Sequence, residues 1–260
     1  MMERTSPVPQ QLVLPVPQQL VFVVPVYNEE ENLPQLMADF DARPWLFAGG
    51  SRIIVVDDGS EDATPELLTA YSSRLPLEVI RFDRNRGPGA AFSAGFAAAL
   101  QQCDNEALIV TLEGDTTNDL DALPAMLGRA AAGADIVLAD WTMVNVRRLR
   151  RLLSAAAGLV VRRTLGLQAK TVSSFFRVYR AAALRRGFAF YGDDFIRETG
   201  FACKAEILAK LAALGVRIEE VMVPLDWERR AGKSKMPILR TTLAYGRMLI
   251  RERAHASVSP

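Results

Sequence analysis

The chain has 260 residues, 50% of them hydrophobic, and 31 Lys and Arg balance 30 Asp and Glu to a formal net charge of +1. That length supports one α/β domain with a substantial core, and the near-neutral charge speaks against a nucleic-acid binder, which carries a marked basic excess. The two cysteines, Cys103 and Cys203, have no Cys-x-x-Cys spacing, so a zinc site or disulfide framework is not expected and a reducing cytosol is.

The amino terminus has no basic segment followed by a continuous apolar run, so no signal peptide is expected. A short duplication opens the chain: the heptapeptide at 7–13, Pro-Val-Pro-Gln-Gln-Leu-Val, recurs at 15–21. Its prolines disfavour helix and central strand, so residues 1–19 read as a flexible Pro/Gln-rich arm leading into the first strand. From there the pattern alternates. Apolar runs rich in Val and Ile at 21–26, 53–57, 77–82, 108–112 and 136–139 are separated by helical stretches at 30–41, 64–73, 88–101 and 120–132. Continuous apolar strands alternating with helices predict a mostly parallel sheet covered on both faces, an α/β/α sandwich of Rossmann-like type. The second half is less regular. It predicts a strand near 175–179, a helix near 201–214, a strand near 217–223 and a last helix over 237–251. The expected organisation is an arm (1–19), one domain (20–236) and a carboxy-terminal amphipathic helix with a polar tail (237–260). The one histidine, His255, lies in that tail, which leaves no histidine for a catalytic base.

Three polar clusters fall at predicted strand ends. The first strand ends in Pro25, Tyr27, Asn28 and Glu29, the second in Asp57, Asp58, Gly59 and Ser60, and the fourth in Glu113, Gly114 and Asp115. Open α/β sheets bind ligands beyond the carboxyl ends of their strands, so the three clusters should line one crevice. Carboxylates there suit a nucleoside diphosphate sugar, because they can read base and ribose and hold a divalent cation on the diphosphate. Each cluster alone has a plainer reading: Asp-Gly-Ser is a common turn and Asn28 a common helix cap. Their joint placement favours a site.

The runs at 24–33 (Val-Pro-Val-Tyr-Asn-Glu-Glu-Glu-Asn-Leu), 56–64 (Val-Asp-Asp-Gly-Ser-Glu-Asp-Ala-Thr) and 85–91 (Asn-Arg-Gly-Pro-Gly-Ala-Ala) resemble family 2 glycosyltransferases of the GT-A type. Those at 220–224 (Glu-Val-Met-Val-Pro) and 229–235 (Arg-Arg-Ala-Gly-Lys-Ser-Lys) look like the branch of dolichol- and polyprenyl-phosphate mannose synthases. The resemblance implies that Pro25, Tyr27, Glu29, Val56 and Asp58 line the nucleoside pocket. It implies that Glu113, Gly114 and Asp115 occupy the family's Asp-x-Asp position, where Glu113 and Asp115 hold Mg²⁺ or Mn²⁺. Arg229 and Lys235 match basic residues that contact donor or acceptor phosphate, and with Asp115 they are the candidate catalytic residues. The chain departs from the pattern at three places: Glu113 replaces an Asp, Trp141 stands where an arginine is usual, and Thr171 where an acid precedes Phe176 and Arg177.

The implied reaction is inverting transfer of a sugar from a nucleotide diphosphate sugar to a polyprenyl phosphate. A phosphate oxygen is already anionic near neutral pH, so that acceptor needs no strong base; a hydroxyl acceptor would need one, with Asp193 and Asp194 as candidates. Two other readings stay open. A sugar nucleotidyltransferase usually carries a glycine-rich basic loop after its first strand, where this chain has Glu29, Glu30 and Glu31; a non-catalytic nucleotide-sugar-binding module fits the altered positions. No apolar run reaches the ~18–20 residues that span a bilayer. Arginines 147, 148, 150 and 151 precede an apolar stretch at 152–161 that Arg162 and Arg163 close. On the last helix Leu239, Leu243, Gly246 and Ile250 share a face beside Arg240, Arg247 and Arg251. Both segments suit either a membrane interface or an ordinary packed helix. The expected location is cytoplasmic and peripheral at the inner face of a membrane, with a separate membrane subunit or a soluble acceptor as the other routes.

Overall fold

A computed structural model of the chain describes residues 18–143, 163, 169, 171–172, 174–225 and 238–256. Seven strands form one sheet: β1 (Leu20–Val26), β2 (Arg52–Asp57), β3 (Leu77–Arg81), β4 (Leu108–Thr111), β5 (Ile136–Met143), β6 (Arg177–Arg180) and β7 (Ile218–Leu225). Their spatial order is β3-β2-β1-β4-β6-β5-β7. Strands β3, β2, β1 and β4 run parallel, as do β5 and β7, while β6 runs antiparallel to β4 and β5. The sheet is therefore mixed but mostly parallel. The five strands expected in the first half are present to within a few residues.

Strand side chains alternate between faces, and here both faces are apolar. Val21, Val23, Ile54 and Val56 point to one side, under helix α3 (Pro88–Gln101). Phe22, Val24, Ile53 and Val55 point to the other, among residues of α1 (Leu33–Asp41) and α4 (Leu123–Ala131). Helix α2 (Thr64–Ser72) joins β2 to β3. Helix α3 lies very close to the sheet: a side chain at Gly95 would meet Val23 Cγ1 at 2.4 Å and Val56 Cγ2 at 3.2 Å.

The second half adds α5 (Ala181–Tyr191), α6 (Cys203–Ala213) and α7 (Ile238–Ala256). Helix α5 was not among the sequence-based elements. It follows β6 directly and buries Ala181, Ala183, Leu184 and Gly187. The last helix runs past the expected end at 251, and it joins the core through Met248. The amino-terminal arm up to residue 17, the basic segment up to Arg162, Ser173, and the run holding Arg229 and Lys235 lie outside the described residues.

Candidate active site

Strands β2, β1 and β4 are neighbours, so their carboxyl ends form one rim. In register, Val26 of β1 lies level with Asp57 of β2, and Val23 with Thr111 of β4. The loops leaving these strands are stitched together. The Asn28 amide donates to Ser60 Oγ at 2.9 Å, and its side-chain oxygen accepts from the Glu61 amide at 2.8 Å. The Glu29 amide donates to Thr64 Oγ1 at 2.8 Å, and Asn32 Nδ2 donates to Glu29 Oε2 at 2.6 Å. Gly114 closes the third side: a Cβ there would lie 2.8 Å from Val26 Cγ1 and 3.5 Å from Glu29 Cγ, so any side chain would push this loop off β1. Among the described residues the only non-glycine positions with positive φ are Asn28 (52°) and Thr116 (62°), both on this rim. For a β-branched residue such as Thr116 that conformation is strained, and such strain collects at functional sites.

Asp58 is 3% exposed, and its carboxylate clamps the loop that leads into α3. Oδ1 accepts from the Arg86 amide at 2.6 Å and Oδ2 from the Gly87 amide at 2.8 Å. Burial pushes this carboxyl above its ordinary value; the Arg86 and Gly87 amides pull it back, Asp57 pushes it up and the Arg86 guanidinium pulls it down. Asp57 accepts from the Ser60 amide at 2.9 Å, and its other oxygen has only Arg81 Nε, 3.3 Å away and poorly aligned for a hydrogen bond. Gly59 makes the clamp possible. Its φ is +73°, and a Cβ would lie 2.4 Å from the Arg84 carbonyl carbon.

The acidic end of β4 meets two cations that come from the second half of the chain. Asp115 is 8% exposed, and its Oδ1 accepts from Thr117 Oγ1 at 2.7 Å. The Glu113 amide donates to Asn118 Oδ1 at 2.7 Å. Within electrostatic reach of both carboxylates is Lys204, near the start of α6 and 8% exposed. Burial pushes its ammonium below the usual lysine range, and Glu113 opposes that shift, as does Asp115. Behind it lies Arg177 of β6, 1% exposed. Its guanidinium donates to the Lys204 carbonyl at 2.7 Å, the Tyr179 hydroxyl at 3.1 Å and the Val172 carbonyl at 3.2 Å, while Nε has no partner. Cys203 is no nucleophile here, because burial pushes its thiol up to about 12.

The rim thus gathers Pro25, Tyr27, Glu29, Asp58, Glu113, Gly114 and Asp115, as their placement at strand ends implies. Val56 differs: its side chain is fully buried against α3, so it can offer a ligand only backbone. Asp193 and Asp194 sit on an exposed 3-10 turn, where Asp194 pairs with Arg197 at 3.3 Å. Lys204 and Arg177 were absent from the sequence-based site. Among the described residues no three His, Cys, Asp or Glu side chains gather as a metal cage. Two carboxylates still fit Mg²⁺ or Mn²⁺, since Mg²⁺ is commonly held by one or two carboxylates while substrate phosphates and water complete its shell.

Parallel strands with acidic carboxyl ends and an Asp-Asp-Gly-Ser turn match the pattern of a nucleotide-sugar glycosyltransferase, and similarity to known proteins makes that class definite. Residues 21–189 match the family described as Glycosyl transferase family 2, and the chain belongs to it. Among its relatives is an undecaprenyl-phosphate mannosyltransferase from Micrococcus luteus, 32% identical over 82% of this chain and 85% of the relative. Another is an undecaprenyl-phosphate 4-deoxy-4-formamido-L-arabinose transferase from Pseudomonas fluorescens, 33% identical over 60% of this chain; the match spans only 45% of that longer protein. The fold is shared with glucosyl-3-phosphoglycerate synthase from Mycobacterium tuberculosis, crystallised with Mn²⁺, UDP and glucosyl-3-phosphoglycerate. The two chains superpose with a TM-score of 0.64 at 18% identity, covering 91% of this chain and 80% of that one.

Proposed function

We propose that this protein transfers a sugar from a nucleoside diphosphate sugar to a polyprenyl phosphate at a membrane surface. The observation that carries this reading is the convergence on one rim of Asp58, after β2, with Glu113 and Asp115, after β4, the two strands flanking β1. In this reading the loops after β1 and β2 hold the nucleoside, with Tyr27 and Glu29 beside the base or ribose and Asp58 fixing the wall. Glu113 and Asp115 would hold Mg²⁺ or Mn²⁺, which when bound neutralises the departing diphosphate. Arg229 and Lys235 are proposed to grip donor or acceptor phosphate, arginine through paired donors and lysine as a point charge.

The lipid acceptor is supported by the relative from Micrococcus luteus, whose match runs along most of both chains. An acceptor phosphate attacks as an anion, so the site needs orientation and charge stabilisation more than a base. In-line attack on the anomeric carbon, with the diphosphate leaving from the opposite face, inverts that centre. The test is a panel of UDP- and GDP-sugars incubated with undecaprenyl phosphate, with and without Mn²⁺, and product read by mass spectrometry. A glycosyl phospholipid formed only with divalent ion is the expected result. Transfer to soluble hydroxyl acceptors with none to lipid would overturn the acceptor, and no turnover of any donor would overturn the enzyme reading.

A further inference from the structure

Lys204 belongs to none of the loops that build the rim, yet its charge is aimed at it. The ammonium stands 4.7 Å from the centre of the Phe175 ring and 5.7 Å from that of Phe201. It makes no hydrogen bond to the described residues. Aromatic faces attract a cation but satisfy none of its three N–H donors. Lys204 is 8% exposed and its ammonium keeps only a little water contact, so a charged neighbour compensates most of its lost hydration. Thr111 pairs with Arg177 at the end of the β4–β6 ladder, and its hydroxyl donates to the Phe175 carbonyl. Phe175, the ring nearest the Lys204 ammonium, thus sits against the end of β4, two residues before Glu113. The second cation, Arg177, is locked to neutral oxygens on three sides and cannot follow a ligand. A lysine on a flexible stem can.

We propose that Lys204 is a further donor-site residue: a resident counter-ion for Glu113 and Asp115 in the empty enzyme, which turns onto the donor diphosphate once those carboxylates engage a divalent cation. The proposal rests on reading this rim as the donor site. Its physical basis is charge balance. Two carboxylates on a largely dry rim repel, and an ammonium beside them relieves that repulsion until a dication replaces it. The released ammonium then has anionic phosphate oxygens to which it can donate.

Lys204→Met keeps an unbranched apolar stem over Phe175 and Phe201 and removes the charge. Two measurements on the full chain follow from this. Mn²⁺ binding without nucleotide, read from the electron paramagnetic resonance of the free ion, should be at least tenfold tighter in the variant, because the competing cation is gone. Calorimetry with UDP and GDP at saturating Mn²⁺, using whichever the wild type binds, should show at least tenfold weaker binding. Uridine or guanosine, which lack phosphate, should bind equally to both proteins. If either the Mn²⁺ or the diphosphate affinity stays within twofold of wild type, the proposal fails. If the wild type binds neither diphosphate even with Mn²⁺, the donor-site reading is what fails, and the Mn²⁺ titration still decides the counter-ion role. Lys204→Gln serves as the second variant should the methionine protein not fold.

Discussion

The Asp58 carboxylate sits on the rim and holds the Arg86 and Gly87 amides that lead into α3; in the proposed reading it also borders the nucleoside pocket. Its pKa is raised chiefly by burial. A carboxyl whose pKa rises on folding favours the folded state most when protonated. That contribution is fully present below the unfolded value, near 3.8, and is lost as pH climbs through the raised folded value. Asp58→Asn removes this titration. The wild type should therefore lose stability relative to the variant over that window, as urea unfolding midpoints from acid to neutral pH will show. Binding should respond separately: Asp58→Ala should weaken nucleoside diphosphate binding even in chelator, whereas Asp115→Ala should abolish only the divalent-dependent part, both by calorimetry. These acidic residues were legible in the sequence because each belongs to a short motif at a strand end, where local pattern predicts position. Lys204 and Arg177 were not. Lys204 reads as one more surface lysine on a helix, and only the insertion of β6 beside β4 carries it to Glu113.

At the scale of elements, a buried carboxylate on α6 organises the back of the site. Glu206 is fully buried; its Oε1 accepts from Arg251 of α7 at 2.6 Å and from Lys210 at 2.7 Å, and its Oε2 from the Arg197 and Glu198 amides at 3.0 and 2.8 Å. That shapes the 197–199 loop, which lies on the start of α3. The Gly89 amide donates to the Thr199 carbonyl at 2.8 Å, and a Cβ at Gly89 would sit 1.9 Å from the Glu198 carbonyl oxygen. Glu206→Gln removes the carboxylate that Lys210 and Arg251 share, leaving Arg251 with Glu198, and should cost about 3 kcal/mol by chemical denaturation. Gly89→Ala meets backbone and cannot be absorbed by a rotamer; a loss of about 1–3 kcal/mol is expected. Nucleotide affinity should fall with it, since the displaced loop leads back to Gly87 and Asp58. The sequence showed the parallel half of the sheet because each strand there is a continuous apolar run. It did not show the direction of β6, which depends on pairing with both β4 and β5, nor α5, which begins at Ala181 directly after β6 with no turn residues between them.

On the scale of the whole molecule, the question is how a polyprenyl phosphate would reach this rim. No helix among the described residues is long and apolar enough to cross a membrane. Helix α7 has two unlike faces. Ala244 and Met248 are buried, while Leu243 is 64% and Ile250 76% exposed, with Arg247 also exposed. Of the stripe read from the sequence, Leu243, Gly246 and Ile250 thus face outward; the Leu239 side chain lies outside the described ones. Arg251 corrects that reading. It is bound to Glu198 and Glu206 and belongs to the fold, so it is not part of a lipid-facing row. An outward apolar stripe with a basic neighbour suits the interface of an anionic bilayer, where each Lys or Arg contributes about 1 kcal/mol and salt screens the attraction. Co-sedimentation with anionic liposomes should show binding that weakens steeply as salt rises and is nearly absent on neutral lipid. Replacing Leu243 and Ile250 with Ser, together with Arg247→Glu, should reduce binding severalfold and leave the melting temperature within a few degrees, because none of the three side chains is buried. Arg251→Glu should instead destabilise the fold, since it sets a carboxylate against Glu198 and Glu206. Equal and negligible binding to both lipid types would remove α7 as a membrane contact and leave the acceptor to be delivered by another route.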